Sequence, residues 1–374
     1  MTRPAHHARL SPPSLPLQKV EWLTSSGATF WLKRDWDDPE GPDPLRSIKR
    51  KPALFMFHDA MQKQYLAPGK LIISATSGNL GIELAFLARQ HGFPFYCVAP
   101  GAILPEGLEI LRAVGANVIR TTEREVCPRE FTVFYTRGYA HEFHHRLVNL
   151  DQFYSWLNPL SHCRTTAREI FEESSIRVDA VAACLGSCGT VGGILSYIES
   201  KKLDVQVFGA QPDRSQGIPG THVIRGDCRW SPENYSPVVL PDRNVLTVDN
   251  VDSFAFSVKL WSEGVAAGPS TGMALALADR QARAGLRGNI VVISADSNLK
   301  YPGLIRSELI KHREEILCRY PELDLGRPIE RAIEEADRDI GSHRTERRIQ
   351  QAYSVSSAGA IFDAEEIEEI VAGA

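Results

Sequence analysis

Apolar and polar positions along this chain repeat in the order of strand, polar loop and helix. Short apolar runs are each followed by a Gly-, Ser- or Thr-rich loop and then by apolar residues at helical spacing. Continuous apolar runs of this length are typical of strands buried on both faces of a parallel sheet. Strands are predicted at residues 20–23, 29–32, 70–75, 95–99, 118–120, 180–185, 205–210 and 290–294, and helices at residues 54–64, 82–91, 106–114, 194–200, 253–263 and 273–284.

This succession predicts an α/β protein with parallel sheets and helices on both faces. A polar stretch at residues 151–166 separates two such blocks, so we expect two three-layer α/β/α domains with a cleft between them. Ligands in such folds bind at the carboxyl ends of the strands, where the Gly-, Ser- and Thr-rich loops collect. From about residue 321 charge becomes dense, and the pattern predicts short amphipathic helices packed on the surface.

The composition narrows the classes of protein and partner. Of 374 residues, 43% are hydrophobic and 24% are charged, and a formal net charge of −4 offers no electrostatic basis for binding nucleic acid. No apolar run approaches the roughly 20 residues of a membrane helix, and residues 1–16 lack the apolar core of a secretory signal. Seven irregularly spaced cysteines indicate reduced thiols and an expected cytoplasmic location. No metal site is predicted, because Cys184 and Cys188 have no second Cys/His pair close by.

Lys49 stands between a Pro/Gly/Asp-rich stretch, residues 38–44, and an apolar helical run that begins at Ala53. A lysine at such a junction can be desolvated, which lowers its pKa and makes the amine available for Schiff-base chemistry. The alternative is a solvated basic cluster that includes Arg50 and Lys51. The local sequence leaves both interpretations open.

Residues 186–193, Gly-Ser-Cys-Gly-Thr-Val-Gly-Gly, join a predicted strand to a predicted helix. A glycine-rich turn in this position lets backbone N–H groups converge on a phosphate, assisted by the helix dipole. Ser187 and Thr190 can add hydroxyl donors. The spacing is neither that of a P-loop nor that of a dinucleotide-binding turn, and a tight turn without a ligand remains the alternative.

Two further polar loops follow predicted strands. Thr76-Ser77-Gly78-Asn79 offers hydroxyls, an amide and backbone donors to an anion such as a carboxylate. Ser297 follows the last predicted strand, where its hydroxyl could hydrogen-bond a ring nitrogen. Either loop could instead serve only as a helix N-cap.

In their order and separation, the lysine, the two anion loops and the terminal serine resemble those of fold-type II pyridoxal-phosphate enzymes, specifically the cysteine synthase and cystathionine β-synthase group. This fold is the tryptophan synthase β-like one. The resemblance runs from about Leu15 to Tyr301, and its specificity lies in the ordered set rather than in any one motif. Further segments that carry it are Leu15-Pro16-Leu17, Leu111 with Gly115-Ala116-Asn117-Val118, Asp151-Gln152-Phe153, Asn158-Pro159, and residues 165–170, 263–268 and 293–297.

The resemblance implies a role for each matching residue. Lys49 would form the Schiff base with pyridoxal 5′-phosphate and would serve as acid and base at the substrate Cα. Asn79 would contact the ring hydroxyl, and Ser297 would face the pyridine nitrogen. The cradle for the phosphate would be Gly186, Ser187, Cys188, Gly189 and Thr190. The substrate-binding residues would be Thr76, Ser77, Gly78 and Gln152, with Arg46 and Arg137 as additional anion contacts.

The implied reaction is β-replacement on an O-activated L-serine, either O-phosphoserine or O-acetylserine. Lys49 would take the Cα proton, the β-substituent would leave to give an aminoacrylate, and a nucleophile would add to it. The resemblance also implies amino-acid substrates, a homodimer, and a small domain that closes on the substrate. The expected domains are a large cofactor-binding domain (residues 1–54 and 161–313), a small mobile domain (residues 55–160) and a helical C-terminal appendage (residues 314–374).

The chain departs from this group around the lysine. Members usually have Asn-Pro-Gly-Gly-Ser before it and Asp-Arg after it, whereas this chain has Asp43-Pro44-Leu45-Arg46-Ser47 and Arg50-Lys51. Loss of the glycine pair should reshape the wall where the nucleophile enters, and Arg46 adds a fixed positive charge there. Leu80 and Pro52-Ala53 look more like the branch that joins O-phosphoserine to the amine of glutamate to make a 2,3-diaminopropionate precursor. We therefore expect a specialised biosynthetic enzyme, with sulfide, a thiol or an amino-acid amine as nucleophile.

Three other interpretations stay open at this stage. A serine/threonine dehydratase shares the fold, but its phosphate loop is normally a plain glycine run, unlike residues 186–190 here. A non-catalytic ligand-binding relative would fit the altered neighbourhood of Lys49, although Lys49, Asn79 and Ser297 are all present. A nucleotide-binding α/β protein would need a nucleotide loop, and the sequence has no recognised one.

Overall fold

The computed structural model of the chain describes residues 17–23, 27–37, 45–101, 103–122, 128–213, 217–224, 240–341 and 358–373. The Pro/Gly/Asp-rich stretch at residues 38–44 lies outside these ranges. So do Leu15 and Pro16, which belong to a segment that carries the family resemblance.

The strands form two separate sheets. In chain order they are β1 (Gln18–Lys19), β2 (Ala28–Arg34), β3 (Leu71–Ala75), β4 (Phe95–Pro100), β5 (Asn117–Thr121), β6 (Leu147–Asn149), β7 (Ala180–Cys184), β8 (Gln206–Pro212), β9 (Val245–Val248), β10 (Gly288–Ser294) and β11 (Ile361–Asp363). The larger, six-stranded sheet has the order β1-β2-β10-β7-β8-β9, and the smaller, five-stranded sheet has the order β11-β5-β4-β3-β6. Neighbouring strands are parallel except for the antiparallel pair β1 and β2. The predicted parallel sheets are therefore confirmed.

Helices connect the strands and cover the sheets. They are α1 (Arg50–Gln62), α2 (Asn79–His91), α3 (Pro105–Ala113), α4 (Pro128–Glu142), α5 (Leu157–Arg164), α6 (Thr166–Phe171), α7 (Gly189–Lys201), α8 (Asn250–Ser262), α9 (Pro269–Arg283), α10 (Pro302–Arg319), α11 (Gly326–Gly341) and α12 (Ile367–Gly373). Within the described ranges, none of the helices is both long enough and apolar enough to cross a membrane.

Apolar side chains leave both faces of each sheet, as the continuous apolar runs predict. Along β10, Ile290 and Val292 belong to one buried cluster while Val291 and Ile293 belong to another on the opposite face, because successive side chains of a strand point to opposite sides. Every residue of β3 is likewise buried. Each sheet thus has apolar layers on both faces, and the predicted pair of three-layer α/β/α units is confirmed.

The predicted strand at residues 20–23 is wrong in its position. The pairing strand is β1, and the chain turns at residues 21 and 22. Val20 still receives one ladder bond, since its N–H donates to Phe30 O over 2.9 Å. Val20 and Leu23 are buried in the core beneath the larger sheet, so this apolar run anchors the turn instead of extending the strand.

The C-terminal segment contributes to both sheets and is not wholly helical. Leu309 of α10 and Ile329 of α11 lie in the core of the larger sheet, whereas β11 adds a parallel edge strand to the smaller sheet, with Phe362 opposite Ile119. The Tyr135 hydroxyl donates to the carbonyl of Ala364. The density of charge after residue 321 predicted helices and gave no signal for a three-residue strand.

Candidate active site

The ends of three strands bring the predicted loops together between the two sheets. The segment before α1 is tied to the end of β10, because Ile48 N–H donates to Ala295 O over 2.8 Å. The phosphate loop after β7 is tied to the start of α5, because Asn158 Nδ2 donates to Ser187 Oγ over 3.0 Å. Gln152 reaches the end of β3, with Nε2 3.4 Å from Ala75 O.

Lys49 lies at the N-terminal end of α1 and faces the phosphate loop. Its Nζ donates to Ser187 Oγ over 3.2 Å. Burial lowers the pKa of the Lys49 amine to about 8, against a smaller opposing effect of Cys188. About a quarter of the amine is then uncharged at pH 7.5, whereas an ordinary lysine has only about one part in a thousand in this form. The structure therefore gives Lys49 the desolvated amine that nucleophilic attack on a carbonyl needs.

The loop at residues 186–190 fits closely around its neighbours. A Cβ at Gly189 would lie 2.0 Å from Asn158 Oδ1, and a Cβ at Gly186 would lie 2.3 Å from Gly220 O. Cys188 caps α7 in the left-handed conformation with φ of 58°, a conformation that costs a non-glycine residue backbone strain. Strain of this kind is often held at ligand sites. Helix α7 begins at this loop, and the N–H groups of a first helical turn can bind a phosphate.

His162 supports Thr190 from beneath the loop. The imidazole is completely buried, with Nδ1 3.0 Å from Thr166 Oγ1 and Nε2 3.3 Å from Thr190 Oγ1. Burial lowers the pKa of His162 well below its ordinary value of 6.5, and the charges of Lys49 and Lys51 lower it further. The ring is therefore neutral, and it fixes the Thr190 hydroxyl without adding charge beneath a phosphate.

The buried neutral state of His162 predicts a loss of stability in mild acid. Below pH 6.5 the unfolded chain binds a proton at this position and the folded protein does not, so the free energy of unfolding falls as the pH falls, by about 1.4 kcal/mol per pH unit. Denaturant titrations between pH 7.5 and 5 should show at least this slope in the wild type, and His162→Gln should lower it by about 1.4 kcal/mol per pH unit; a smaller slope remains because the pKa of His58 is also lowered by burial. The exposed His144 provides the control variant, His144→Gln, which should keep the slope. A slope that His162→Gln leaves intact would disprove the assignment.

Asn79 and Ser297 are held by bonds to neighbouring elements. Asn79, at the start of α2, donates from Nδ2 to Asp296 Oδ2 over 2.7 Å and accepts at Oδ1 from Lys300 Nζ over 2.5 Å. Ser297 is buried, and its Oγ accepts from Leu299 N–H over 3.2 Å. That bond leaves the Ser297 hydroxyl hydrogen able to donate to an acceptor such as a ring nitrogen.

The predicted substrate-binding residues differ in exposure. Thr76 and Gln152 are buried, and Thr76 Oγ1 accepts from Gly78 N–H over 3.4 Å, whereas Ser77 is exposed. Thr76 and Ser77 directly follow β3, and Gln152 lies beside the end of that strand.

The two predicted arginines also differ. Arg46 is 9% exposed, three residues before Lys49 in the chain. Arg137 is on α4, where it pairs with Asp151 over 2.9 Å with its side chain 44% exposed, and its guanidinium lies 4.1 Å from the ring centroid of Tyr154. Arg46 is thus part of the interior, while Arg137 lies on the surface with its charge already paired.

A buried ring of four charges beside Lys49 was missed from the sequence. Lys33 and Lys51 each pair with both Asp35 and Glu169, over distances of 2.7 to 2.9 Å, and all four side chains are at most 8% exposed. The ring joins β2, the first turn of α1 and α6. Lys51, which the sequence placed in a basic cluster, is therefore an interior residue. Lys33 and Asp35, charged residues next to an apolar strand run, were the available signal.

Comparisons with known proteins place this chain in a family. The family model described as pyridoxal-phosphate dependent enzyme matches residues 12–296. Cysteine synthase B of Escherichia coli is 32% identical over 294 residues, which are 76% of this chain and 91% of that protein. Cystathionine β-synthase of Mus musculus is 31% identical over 344 residues, 84% of this chain and 60% of that protein.

Solved structures give the same result. A hydrogen sulfide-producing enzyme from Fusobacterium nucleatum aligns with a TM-score of 0.66 and 27% identity, covering 78% of this chain and 97% of that chain. A lysine-to-alanine variant of O-ureido-L-serine synthase with O-ureido-L-serine bound aligns with a TM-score of 0.63 and 26% identity, covering 78% and 90%.

The chain belongs to the family of pyridoxal-phosphate dependent enzymes. Its fold is the tryptophan synthase β-like fold of the fold-type II group, and its cofactor is pyridoxal 5′-phosphate, as the resemblance implied. At the level of the family, the activity is cysteine synthase-like β-replacement on serine derivatives. The roles of individual residues in this chain stay predictions.

The residues present fit this cofactor. The depressed pKa of Lys49 suits covalent attachment to an aldehyde. Glycines 186 and 189 pack directly against Gly220 and Asn158, which holds the start of α7 in a tight turn of the kind that binds phosphate. Ser297 has a buried neutral hydroxyl of the kind that can donate to a pyridine nitrogen. Asn158 Oδ1 is buried without a hydrogen-bond partner among the described residues, and it lies against this same loop.

Proposed function

We propose that the protein catalyses β-replacement on an O-activated L-serine in a specialised amino-acid or natural-product pathway. The observation that carries the proposal is the Lys49 amine, with its pKa lowered to about 8, in hydrogen-bond contact with the loop at the start of α7. When bound, the cofactor withdraws electrons from the substrate Cα and so permits loss of its proton and of the β-substituent.

The chain's own residues have distinct tasks in this proposal. Lys49 holds the cofactor before the substrate arrives and then, with an amine whose lowered pKa makes the uncharged form accessible near neutral pH, takes the proton from Cα. The N–H groups and hydroxyls of residues 186–190 hold the phosphate. Thr76, Gln152 and the backbone at the start of α2 bind the substrate carboxylate, which aligns the Cα–H bond with Lys49. Ser297 keeps the pyridine nitrogen without a proton, a state that favours elimination of the β-substituent.

Arg46 supports O-phosphoserine as the donor. It is a buried, permanently charged group in the segment that leads to Lys49, and guanidinium groups bind phosphate in a bidentate manner. Acetate as a leaving group needs no such charge. The solved relative with bound O-ureido-L-serine supports the broader point that this fold accommodates serine carrying a group on its oxygen. We propose a thiol, sulfide or an amino-acid amine such as glutamate as the nucleophile.

The test is a visible-absorption titration of the purified holoenzyme with O-phosphoserine and, separately, with O-acetylserine. A true donor should produce a lasting change in the cofactor band, and the correct nucleophile should restore the original band with formation of the replacement product. We expect O-phosphoserine to act at the lower concentration. Arg46→Met should weaken O-phosphoserine by about 10- to 100-fold, the value of a charge-assisted hydrogen bond, and should leave O-acetylserine nearly unaffected.

Arg137→Met is the matched control for Arg46→Met. It should leave the O-phosphoserine titration unchanged, because Arg137 is paired with Asp151 on the surface.

Release of pyruvate from the donor in the absence of a nucleophile would favour the alternative function, a serine/threonine dehydratase. Absence of any response to both donors would overturn the proposal.

A further inference from the structure

A polar cluster of Asn79, Asp296, Lys300 and Tyr301 lies where the two sheets meet. Asn79 follows β3 of the smaller sheet, and the other three residues follow β10 of the larger sheet. Besides its bond from Asn79 Nδ2, Asp296 Oδ2 accepts from the Tyr301 hydroxyl and lies 3.5 Å from Lys300 Nζ. Asp296 and Lys300 are each 2% exposed. Two opposite charges and a phenol thus surround the amide of one predicted cofactor-binding residue.

The chemistry of these neighbours leaves the Asn79 amide one orientation. A lysine ammonium can only donate and an ionised carboxylate can only accept. The amide oxygen must therefore face Lys300 and the amide nitrogen must face Asp296, which agrees with the distances of 2.5 and 2.7 Å. In the reverse orientation, the amide nitrogen would face the Lys300 ammonium, donor against donor, and the amide oxygen would face the Asp296 carboxylate, acceptor against acceptor.

The carboxylate that completes this arrangement is itself fitted closely. Asp296 Oδ1 has no hydrogen-bond partner among the described residues, and a Cβ at Gly268 would lie only 2.0 Å from it. The Tyr301 pKa is raised well above its ordinary value, because the phenol is buried beside the Asp296 carboxylate. Tyr301 therefore remains a donor at neutral pH, and Asp296 is held on the side of the amide nitrogen.

We infer that Lys300 and Asp296 are positioning residues that fix the Asn79 amide so that its second N–H donates to the ring oxygen of the cofactor. One amide hydrogen is bonded to Asp296. The Asn79 amide also interacts with the Tyr301 oxygen, a contact that the ring oxygen of the cofactor would replace. The Lys300 ammonium draws electrons toward the amide oxygen, which strengthens the N–H as a donor and favours the ionised form of the ring oxygen. This inference rests on the contact between Asn79 and the cofactor that the proposed function assumes.

The competing explanation is that the cluster only fastens the two sheets together. A second contact of this kind exists, since Glu106 Oε1 of α3 accepts from Leu304 N–H of α10 over 3.1 Å. A purely structural tie would affect stability when it is broken and would leave the acid–base behaviour of the bound cofactor unchanged. The test therefore measures the cofactor.

The experiment records the visible absorption of the holoenzyme against pH, together with the dissociation constant of pyridoxal phosphate from reloading of the cofactor-free protein. Lys300→Met should weaken cofactor binding by about tenfold and should move the pH midpoint of the absorption change upward by about one unit, because a favourable positive charge is lost. Lys300→Arg keeps the charge and a donor, so it should recover most of both effects. Lys259→Met, which removes a surface lysine paired with Glu263, is the matched control and should change neither.

A double-variant comparison decides whether Lys300 acts through Asn79. In an Asn79→Ala background, Lys300→Met should cause no further shift of the pH midpoint. If Lys300→Met unfolds the protein, Lys300→Gln, which removes the charge and keeps a donor for the Asn79 oxygen, replaces it and should show an upward shift of the same sign. An unchanged midpoint in the folded variants, or a full shift in the Asn79→Ala background, overturns the inference.

The outcome is separable from that of the proposed function. A shifted midpoint together with no response to either serine donor would support the positioning role and overturn the proposed reaction. A normal donor response together with an unchanged midpoint would do the reverse.

Discussion

Lys49→Ala should abolish covalent attachment of pyridoxal phosphate and lower the rate of β-replacement by about a thousandfold or more. The variant removes both the nucleophilic amine that attaches the cofactor and the base that takes the Cα proton, and a positioned base alone contributes about 10²- to 10⁴-fold. Borohydride reduction of the loaded protein followed by peptide mass mapping should find the pyridoxyl group on Lys49 in the wild type. The Lys49→Ala protein should carry no such label.

The lowered pKa of Lys49 adds a quantitative part to this prediction. The rate at which cofactor-free protein attaches pyridoxal phosphate should rise with pH through a midpoint near 8, the pKa of the amine, and should level off above it. The control is Lys63→Ala, which removes an exposed lysine just after α1. This variant should keep the pyridoxyl label on Lys49, the rate of cofactor attachment and its pH midpoint. A label on Lys51 or Lys300 in the wild type would refute the assignment of Lys49.

Glu169→Gln should lower the free energy of unfolding by about 3 kcal/mol or more. In the folded protein it leaves Lys33 and Lys51 with Asp35 as the only partner in the ring, and breaking a buried pair by neutralising one member costs about 3 to 5 kcal/mol. Because Lys51 is two residues from Lys49, the first turn of α1 should also loosen. Chemical denaturation should show the loss of stability, and the cofactor content of the purified variant should fall with it.

An exposed pair provides the control for that loss. Glu263 pairs with Lys259 at the surface, and Glu263→Gln should change the free energy of unfolding by less than about 1 kcal/mol.

Removing one charge of each sign from the buried ring, with Lys51→Met and Glu169→Gln together, should cost less than the sum of the single changes, because the remaining Lys33 and Asp35 still pair. Equal effects at the buried and the exposed glutamate would show that the ring does not stabilise the fold.

The sequence by itself determined the elements of the sheets and the loops that carry the predicted chemistry. The apolar runs of β3 and β10 predicted strands buried on both faces, because burial requires apolar side chains at every position of such a strand. Loop 186–190 was recognisable because a tight turn and a phosphate both require glycine. These are local properties, in which neighbouring residues alone decide the outcome. The ordered set of motifs then identified the family, which the comparisons confirmed.

Only the tertiary structure decided which polar groups meet. Lys51 and Glu169 are 118 positions apart, and Asn79 and Lys300 are 221 positions apart, so no local pattern relates them. They meet because β10 lies between β2 and β7, and because the end of β10 faces the start of α2. The same holds for β11, because its three residues form a strand by pairing with β5 at the edge of the smaller sheet, more than 200 positions earlier in the chain. Charge and burial within the site follow from strand order, which the pattern along the chain does not encode.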